Sequence, residues 1–172
     1  MKHDSIPEGK IFCVLVDSCV LIDSFDPASA NHASSLHLME ALADKEVVVI
    51  MPAHGYFEVQ CAIERLKVEK RFNVPAIDPK KKYRLNLLPI DDGFIAKYKM
   101  ADVPRLKAGD HIFLAVAKVD NISLITSDTQ LLSAGRRASV SVFTPAEALA
   151  EVRGDAQQGA QADGPAPDGS AA

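Results

Sequence analysis

The 172-residue chain predicts an α/β fold: a three-layer α/β/α sandwich with a central parallel sheet of about five strands. Three observations predict it. Short, nearly continuous apolar runs rich in β-branched residues recur along the chain, as strands buried on both faces require. Between them lie longer stretches whose apolar residues follow the helical period. Asp17 and Asp128 each stand directly behind a strand-like run, at the carboxyl edge where open parallel sheets bind ligands.

After a polar lead (1–10), residues 11–17 read as the first strand, Ile11-Phe12-Cys13-Val14-Leu15-Val16 closing on Asp17. Asp26-Pro27 predicts an N-cap with proline at the first helical position, opening a helix to about Ala43 with Leu36, Met39 and Leu42 on one face. Residues 46–51 form the second strand. Pro52 opens a helix to about Lys70, in which Val59, Ala62, Ile63 and Leu66 share a face. Residues 73–84 hold Pro75 and Pro79, then Lys80-Lys81-Lys82-Tyr83-Arg84, and predict an irregular connection.

Residues 85–90 form the third strand, with Pro89 near its end. Asp91-Asp92 caps a short helix to about Met100. Gly109-Asp110 begins another, apolar on nearly every side over 112–117, so it is expected to be the most buried. Residues 123–126 and 140–143 are the last strands, with a helix over 129–134 between them and a final helix over 145–152. One globular domain, 11–152, follows. The remainder, 153–172, carries no large apolar residue beyond Gly154 and is expected to be disordered, having too little surface to bury against its ordering entropy.

Composition excludes several classes. Hydrophobic residues make up 48% and charged residues 24%, as in soluble globular proteins, and the net charge of −4 provides no global basic field for nucleic acid. Cys13, Cys19 and Cys61 are odd in number and widely spaced, which fits free thiols in a reducing cytoplasm better than a disulfide framework. The lead lacks the apolar core of a signal peptide, and no run is long enough to span a bilayer.

The candidate chemistry rests on Asp17, Glu58, Asp110 and Asp128. Each has an ordinary explanation: Asp17 as a turn residue, Glu58 as a first-turn acid favoured by the helix dipole, Asp110 as an N-cap after Gly109, Asp128 as a cap after Thr126-Ser127. Together they stand where a doubly covered parallel sheet converges them. Gathered carboxylates repel unless a cation neutralises them, and all-oxygen donors suit Mg²⁺ or Mn²⁺. Ser18 and Thr126 are candidates to orient those carboxylates or a bound water.

The segments Phe12-Cys13-Val14-Leu15-Val16-Asp17-Ser18-Cys19-Val20-Leu21-Ile22, Phe57-Glu58-Val59, Ala108-Gly109-Asp110-His111-Ile112-Phe113-Leu114-Ala115-Val116-Ala117 and Leu124-Ile125-Thr126-Ser127-Asp128 resemble the signature blocks of PIN-domain nucleases. The resemblance covers roughly 11–149 and is greatest to the VapC-like toxins of bacterial toxin–antitoxin pairs. It implies a PIN-like fold, a Mg²⁺ or Mn²⁺ site at Asp17, Glu58, Asp110 and Asp128, and hydrolysis of RNA to a 5′-phosphate and a 3′-hydroxyl. It also implies a cognate antitoxin that covers the site, and a homodimer. On that reading Arg105, Lys107, Lys81, Lys82 and Arg84 hold the RNA backbone and Tyr83 stacks on a base. A solvated loop is the plainer account of the lysine run. The chain departs from many relatives at Thr129-Gln130-Leu131, where a further acid and an aromatic are missing, which puts a second metal position in question.

Other acidic-site classes fail on single residues. A receiver domain would need a lysine after the last strand, where Phe143-Thr144-Pro145 stands; a haloacid-dehalogenase-type phosphatase would need an acid where Cys19 is. A cysteine phosphatase would need arginine where Phe25 is. His32, His37, His54 and His111 share no zinc-ligand spacing with the cysteines, and no phosphate-binding glycine loop occurs. The alternative reading is a PIN-like module that binds metal or RNA without turnover.

Overall fold

The computed structural model describes residues 13–69 and 78–160, the side chains of 155–160 excepted. Five parallel strands lie in the order β3-β2-β1-β4-β5: β1 (Cys13–Val16), β2 (Val48–Pro52), β3 (Leu85–Leu88), β4 (Leu124–Ile125) and β5 (Val142–Phe143). Their register is short and exact in phase: Val14 pairs with Val49, Ile50 with Asn86, Val16 with Ile125, and Ile125 with Phe143. The chain grows outward from β1 to β2 and β3, then returns to β4 and β5 on β1's other side. The strand order therefore reverses at β1 and β4, the place where parallel sheets open a crevice.

The helices are α1 (Ser18–Phe25), α2 (His32–Asp44), α3 (Ala53–Val68), the single turn α4 (Pro79–Lys82), α5 (Asp92–Tyr98), α6 (Ala108–Asp120), α7 (Thr129–Arg137) and α8 (Pro145–Ala160). Helix α1 packs on α2 and α3, α2 on α8, and α6 on α5 and α7. Right-handed crossovers place the helices between β1, β2 and β3 on one face and those between β3, β4 and β5 on the other. The core runs through both layers, from Leu15, Val16, Leu38 and Met51 to Phe113, Leu114, Val116 and Leu124. As expected, α6 is buried at every position from Phe113 to Ala117. It ends at Asn121, whose left-handed backbone (φ 52°) suits asparagine.

Several boundaries differ from the expectation. Asp26-Pro27 opens no helix: the Asp26 carboxylate accepts the Ala28 N–H at 3.0 Å in a local turn, and α2 begins at His32. The reading missed α1 because Cys19-Val20-Leu21-Ile22 is too short to declare a period. Burial of Val20, Leu21 and Phe25 makes it helical. Of the expected connection over 73–84, residues 73–77 lie outside the described residues, and the rest includes α4, capped by Asp78 accepting the Lys80 N–H at 2.9 Å. Helix α8 runs on to Ala160, past Gly154 where a disordered tail was expected to begin; 161–172 lie outside the described residues, as does the 1–10 lead. Among the described residues no helix is long and apolar enough to cross a membrane.

Candidate functional site

The four acids arrive from four elements. Asp17 follows β1 and precedes α1, so the strand end aims it over the crevice. It is buried, at 5% exposure, and its backbone N–H bonds Ile125 O at 2.9 Å, which ties the ends of β1 and β4 together. Glu58 lies in the second turn of α3, Asp110 in the first turn of α6, and Asp128 at the N-cap of α7, beyond Thr126 and Ser127 at the end of β4. Asp128 does cap α7, its Oδ1 accepting the Leu131 N–H at 2.8 Å, while Asp110 does not cap α6, whose N-cap is Lys107. Ordinary and functional roles thus coexist at Asp128, since a carboxylate has lone pairs for both.

Two observations relate the acids to one another. Ser18 reaches between two of them, donating to Glu58 Oε2 at 2.7 Å with Asp17 Oδ1 at 3.3 Å. Asp110 feels all the others: partial burial first, then the charges of Asp128 and Asp17, and finally Glu58 hold its carboxyl above the usual range, with Lys107 opposing them. Burial also raises the Asp17 carboxyl, against hydrogen bonds from Cys19, Thr126 and Ser18 that favour its charged form.

Thr126, fully buried, donates to Asp17 Oδ2 at 2.6 Å and accepts the Asp128 N–H at 3.0 Å, so it links two of the acids. Two neighbours have roles that the sequence does not assign them. Cys19 Sγ donates to Asp17 Oδ2 at 2.9 Å, and burial followed by the Asp17 charge pushes its thiol far up, which keeps it protonated. Asp23 accepts from Ser127 Oγ at 2.9 Å and from Ser29 Oγ at 2.7 Å, bracing the segment between β4 and Asp128. The i to i+4 spacing of Cys19 and Asp23 would have signalled both, had α1 been read as a helix.

His54 lies one turn before Glu58 and packs its ring on Phe113, with centroids 5.2 Å apart. Both of its ring nitrogens are buried without a hydrogen-bond partner. A Cβ at Gly109 would make ordinary contacts of 3.6 Å with both Glu58 Oε1 and His54 Nε2, which sets the start of α6 beside these two side chains.

The basic residues divide. Lys107 stands at the amino end of α6, acting on Asp110, and Arg105 lies exposed in the segment leading to it. Lys81, Lys82, Tyr83 and Arg84 instead lead into the amino end of β3. In an all-parallel sheet that is the edge opposite the acids. Tyr83 is a correction: at 1% exposure it sits in the core beside Phe25, its ring centroid 6.0 Å away, with no open face for a base. Arg84 pairs with Glu46 at 3.1 Å, and Lys82 Nζ covers the Tyr83 ring. The lysine run satisfies local structure and lies away from the crevice.

As the side chains stand, no three acidic, histidine or cysteine groups among the described residues are drawn together closely enough to hold an ion. The donor set nonetheless fits a hard divalent cation: its oxygens are all carboxylate, and their mutual repulsion is visible at Asp110. Asp17 is buried, whereas Glu58 and Asp128 are exposed and Asp110 half-buried; Ser18 holds one oxygen of Glu58 and the Leu131 N–H one oxygen of Asp128, which leaves each a second oxygen for a cation.

Fold and site define a parallel α/β protein with a carboxylate crevice at its strand-order reversal. Residues 14–137 match the family model described as PIN domain, and the chain belongs to the PIN domain family. Among solved structures it resembles VapBC2 from Rickettsia felis bound to a DNA fragment from their promoter, at 13% identity and a TM-score of 0.53, over 77% of this chain and 98% of that one. It also resembles FitAB bound to an IR36 DNA fragment, at 20% identity and a TM-score of 0.50, over 77% of this chain and 94% of that one. At such identities the likeness is one of fold. No curated protein matches the chain in sequence.

Proposed function

We propose that the protein is a metal-dependent endoribonuclease and the toxin of a toxin–antitoxin pair. The observation that carries this is the hydrogen-bond network at the strand-order reversal, in which Ser18 joins Asp17 to Glu58 and Thr126 joins Asp17 to the Asp128 backbone. Four acids from separate elements around a strand-order reversal repel one another, and a bound cation would relieve that repulsion. Asp17, Glu58, Asp110 and Asp128 would hold Mg²⁺ or Mn²⁺, which supplies charge neutralisation and Lewis acidity toward a phosphodiester. Thr126 and Ser18 fix the Asp17 and Glu58 carboxylates in orientation. Lys107 and Arg105, at and before the amino end of α6, attract the RNA backbone to the crevice. Water adds at phosphorus, the bond to the 3′-oxygen breaks, and a 5′-phosphate and 3′-hydroxyl remain.

A protein antitoxin is the expected partner. The similarity in fold to VapBC2 and FitAB supports it, as does a crevice whose acids attract a basic segment. We place the protein in the cytoplasm as a homodimer, with 11–152 as its nuclease unit.

Purified protein incubated with mixed RNAs tests the reading. Cleavage should require Mg²⁺ or Mn²⁺, stop on addition of EDTA, and fall by orders of magnitude in Asp17→Asn. Cation binding without cleavage would favour a binding module; cleavage undiminished in Asp17→Asn would remove the acids from the mechanism.

A further inference from the structure

The two oxygens of Asp17 are not equivalent. Oδ2 accepts the Thr126 hydroxyl at 2.6 Å and the Cys19 thiol at 2.9 Å. Oδ1 has Ser18 Oγ at 3.3 Å, but that hydroxyl carries one proton, and its short bond goes to Glu58 Oε2 at 2.7 Å. Oδ2 is therefore saturated by two donors. Oδ1 has no side-chain donor as short as those on Oδ2, and it faces the Ser18 hydroxyl that it shares with Glu58.

Cys19 is itself anchored. Its sulfur accepts the Ser127 N–H at 3.3 Å, from the segment that follows β4, and lies 3.5 Å from Thr126 Oγ1. The thiol thus spans the gap between the ends of β1 and β4, with its proton directed at Asp17. The sequence carried no sign of this, since a cysteine two residues from an acid is read first as a possible nucleophile.

We infer that Cys19 is a positioning residue that confines Asp17 to binding a divalent cation through Oδ1 alone, and thereby sets the preference of the site for a small cation over a large one. The inference rests on the nuclease reading insofar as it takes the acids to hold a cation. Magnesium requires near-octahedral geometry at about 2.0–2.1 Å, which one oxygen per carboxylate satisfies, whereas calcium, at about 2.3–2.6 Å, accepts carboxylates through both oxygens. Two donors on Oδ2 oppose the second mode. Removing the thiol leaves Oδ2 with Thr126 as its one side-chain donor, so the opposition to that mode weakens.

Titration calorimetry on the full-length, metal-free protein with magnesium chloride and separately with calcium chloride tests this. Cys19→Ala should reduce the ratio of magnesium to calcium affinity by about tenfold, the scale on which orienting partners act on metal sites. Cys19→Ser, which restores a donor at the same position, should return most of it, a rescue that filling space alone would not produce. Should Cys19→Ala unfold, Cys19→Val removes the donor while keeping volume. A ratio unmoved in the donor-less variant overturns the inference and leaves the nuclease reading intact; a wild-type protein that binds neither ion overturns both. Infrared spectra of metal-free protein give a check without cations: the S–H band lost in Cys19→Ala should lie at a hydrogen-bonded position. A band at the free-thiol position overturns the inference whatever the RNA assays show.

Discussion

At the residue scale the site shows how one side chain serves fold and chemistry together. Asp128 caps α7 through Oδ1 and also contributes to the repulsion at Asp110. The two roles separate by substitution. Asparagine caps a helix as well as aspartate does and removes the charge that repels Asp110, so metal-free Asp128→Asn should melt no lower than the wild type while Mg²⁺ binding weakens. Asp128→Ala should weaken binding equally and also lose about 1 kcal/mol of stability. Urea melts and calorimetry on the two variants check this, and equal stabilities would show that the cap contributes nothing. Tyr83 and Cys19 teach the reverse lesson. An aromatic in a lysine run suggests a base-stacking ring, and a cysteine by an acid suggests a nucleophile. Burial makes the first a core residue and a hydrogen bond makes the second a donor.

At the scale of elements, the acids depend on α3 and α6 approaching closely near their amino ends. Gly55 permits it: a Cβ there would stand 2.7 Å from Phe113 Cζ and 3.4 Å from Met51 Cγ. Phe113 is itself buried, at 1% exposure, so the ring has little room to yield. Alanine at Gly55 gains helix propensity of about 1 kcal/mol but overpacks the core at a cost of about 1–3 kcal/mol. Gly55→Ala is therefore expected to lower stability in a denaturant melt. It should also displace the Phe113 ring and, with it, the neighbouring His54. An unchanged or raised midpoint would mean that the two helices separate freely. Much of this scale was legible beforehand: the strands, the burial of α6 and the helix after Asp91 follow from apolar runs and capping residues. Helix α1 was not, because its short apolar stretch takes its conformation from packing on α2 and α3.

At the scale of the molecule, the carboxylate cluster sets a conflict between stability and site. The Asp110 carboxyl is held up in the folded state, so the folded protein binds its proton more tightly than the unfolded chain does. Its contribution to stability is then most favourable below the unfolded pKa and is lost as pH rises through the folded value. Asp17 acts in the same sense, whereas the lowered carboxyls of Asp78 and Glu147 stabilise above their unfolded pKa and lose that as pH falls through the folded one. Metal-free Asp110→Asn should accordingly melt above the metal-free wild type at neutral pH, with the advantage shrinking toward about pH 4, the range of a free aspartate. Saturating Mg²⁺ should reverse the order, since a ligand at about a hundred times its dissociation constant adds about 2.7 kcal/mol to the form that binds it. Melting curves with Mg²⁺ and with EDTA check both halves; a variant less stable without metal would deny the repulsion.

Most strands and helices and the parallel sheet follow from local pattern, because burial on both faces leaves a periodic mark on nearby residues; the four acids are proposed from their places behind those elements and from the family resemblance. Which acids meet, which oxygen of Asp17 stays free and which basic residues face the crevice do not. Those depend on β1 and β4, far apart along the chain, becoming neighbours, and on the lysine run falling at the amino end of β3. Contacts between distant segments leave no period in the chain, so packing alone decides them.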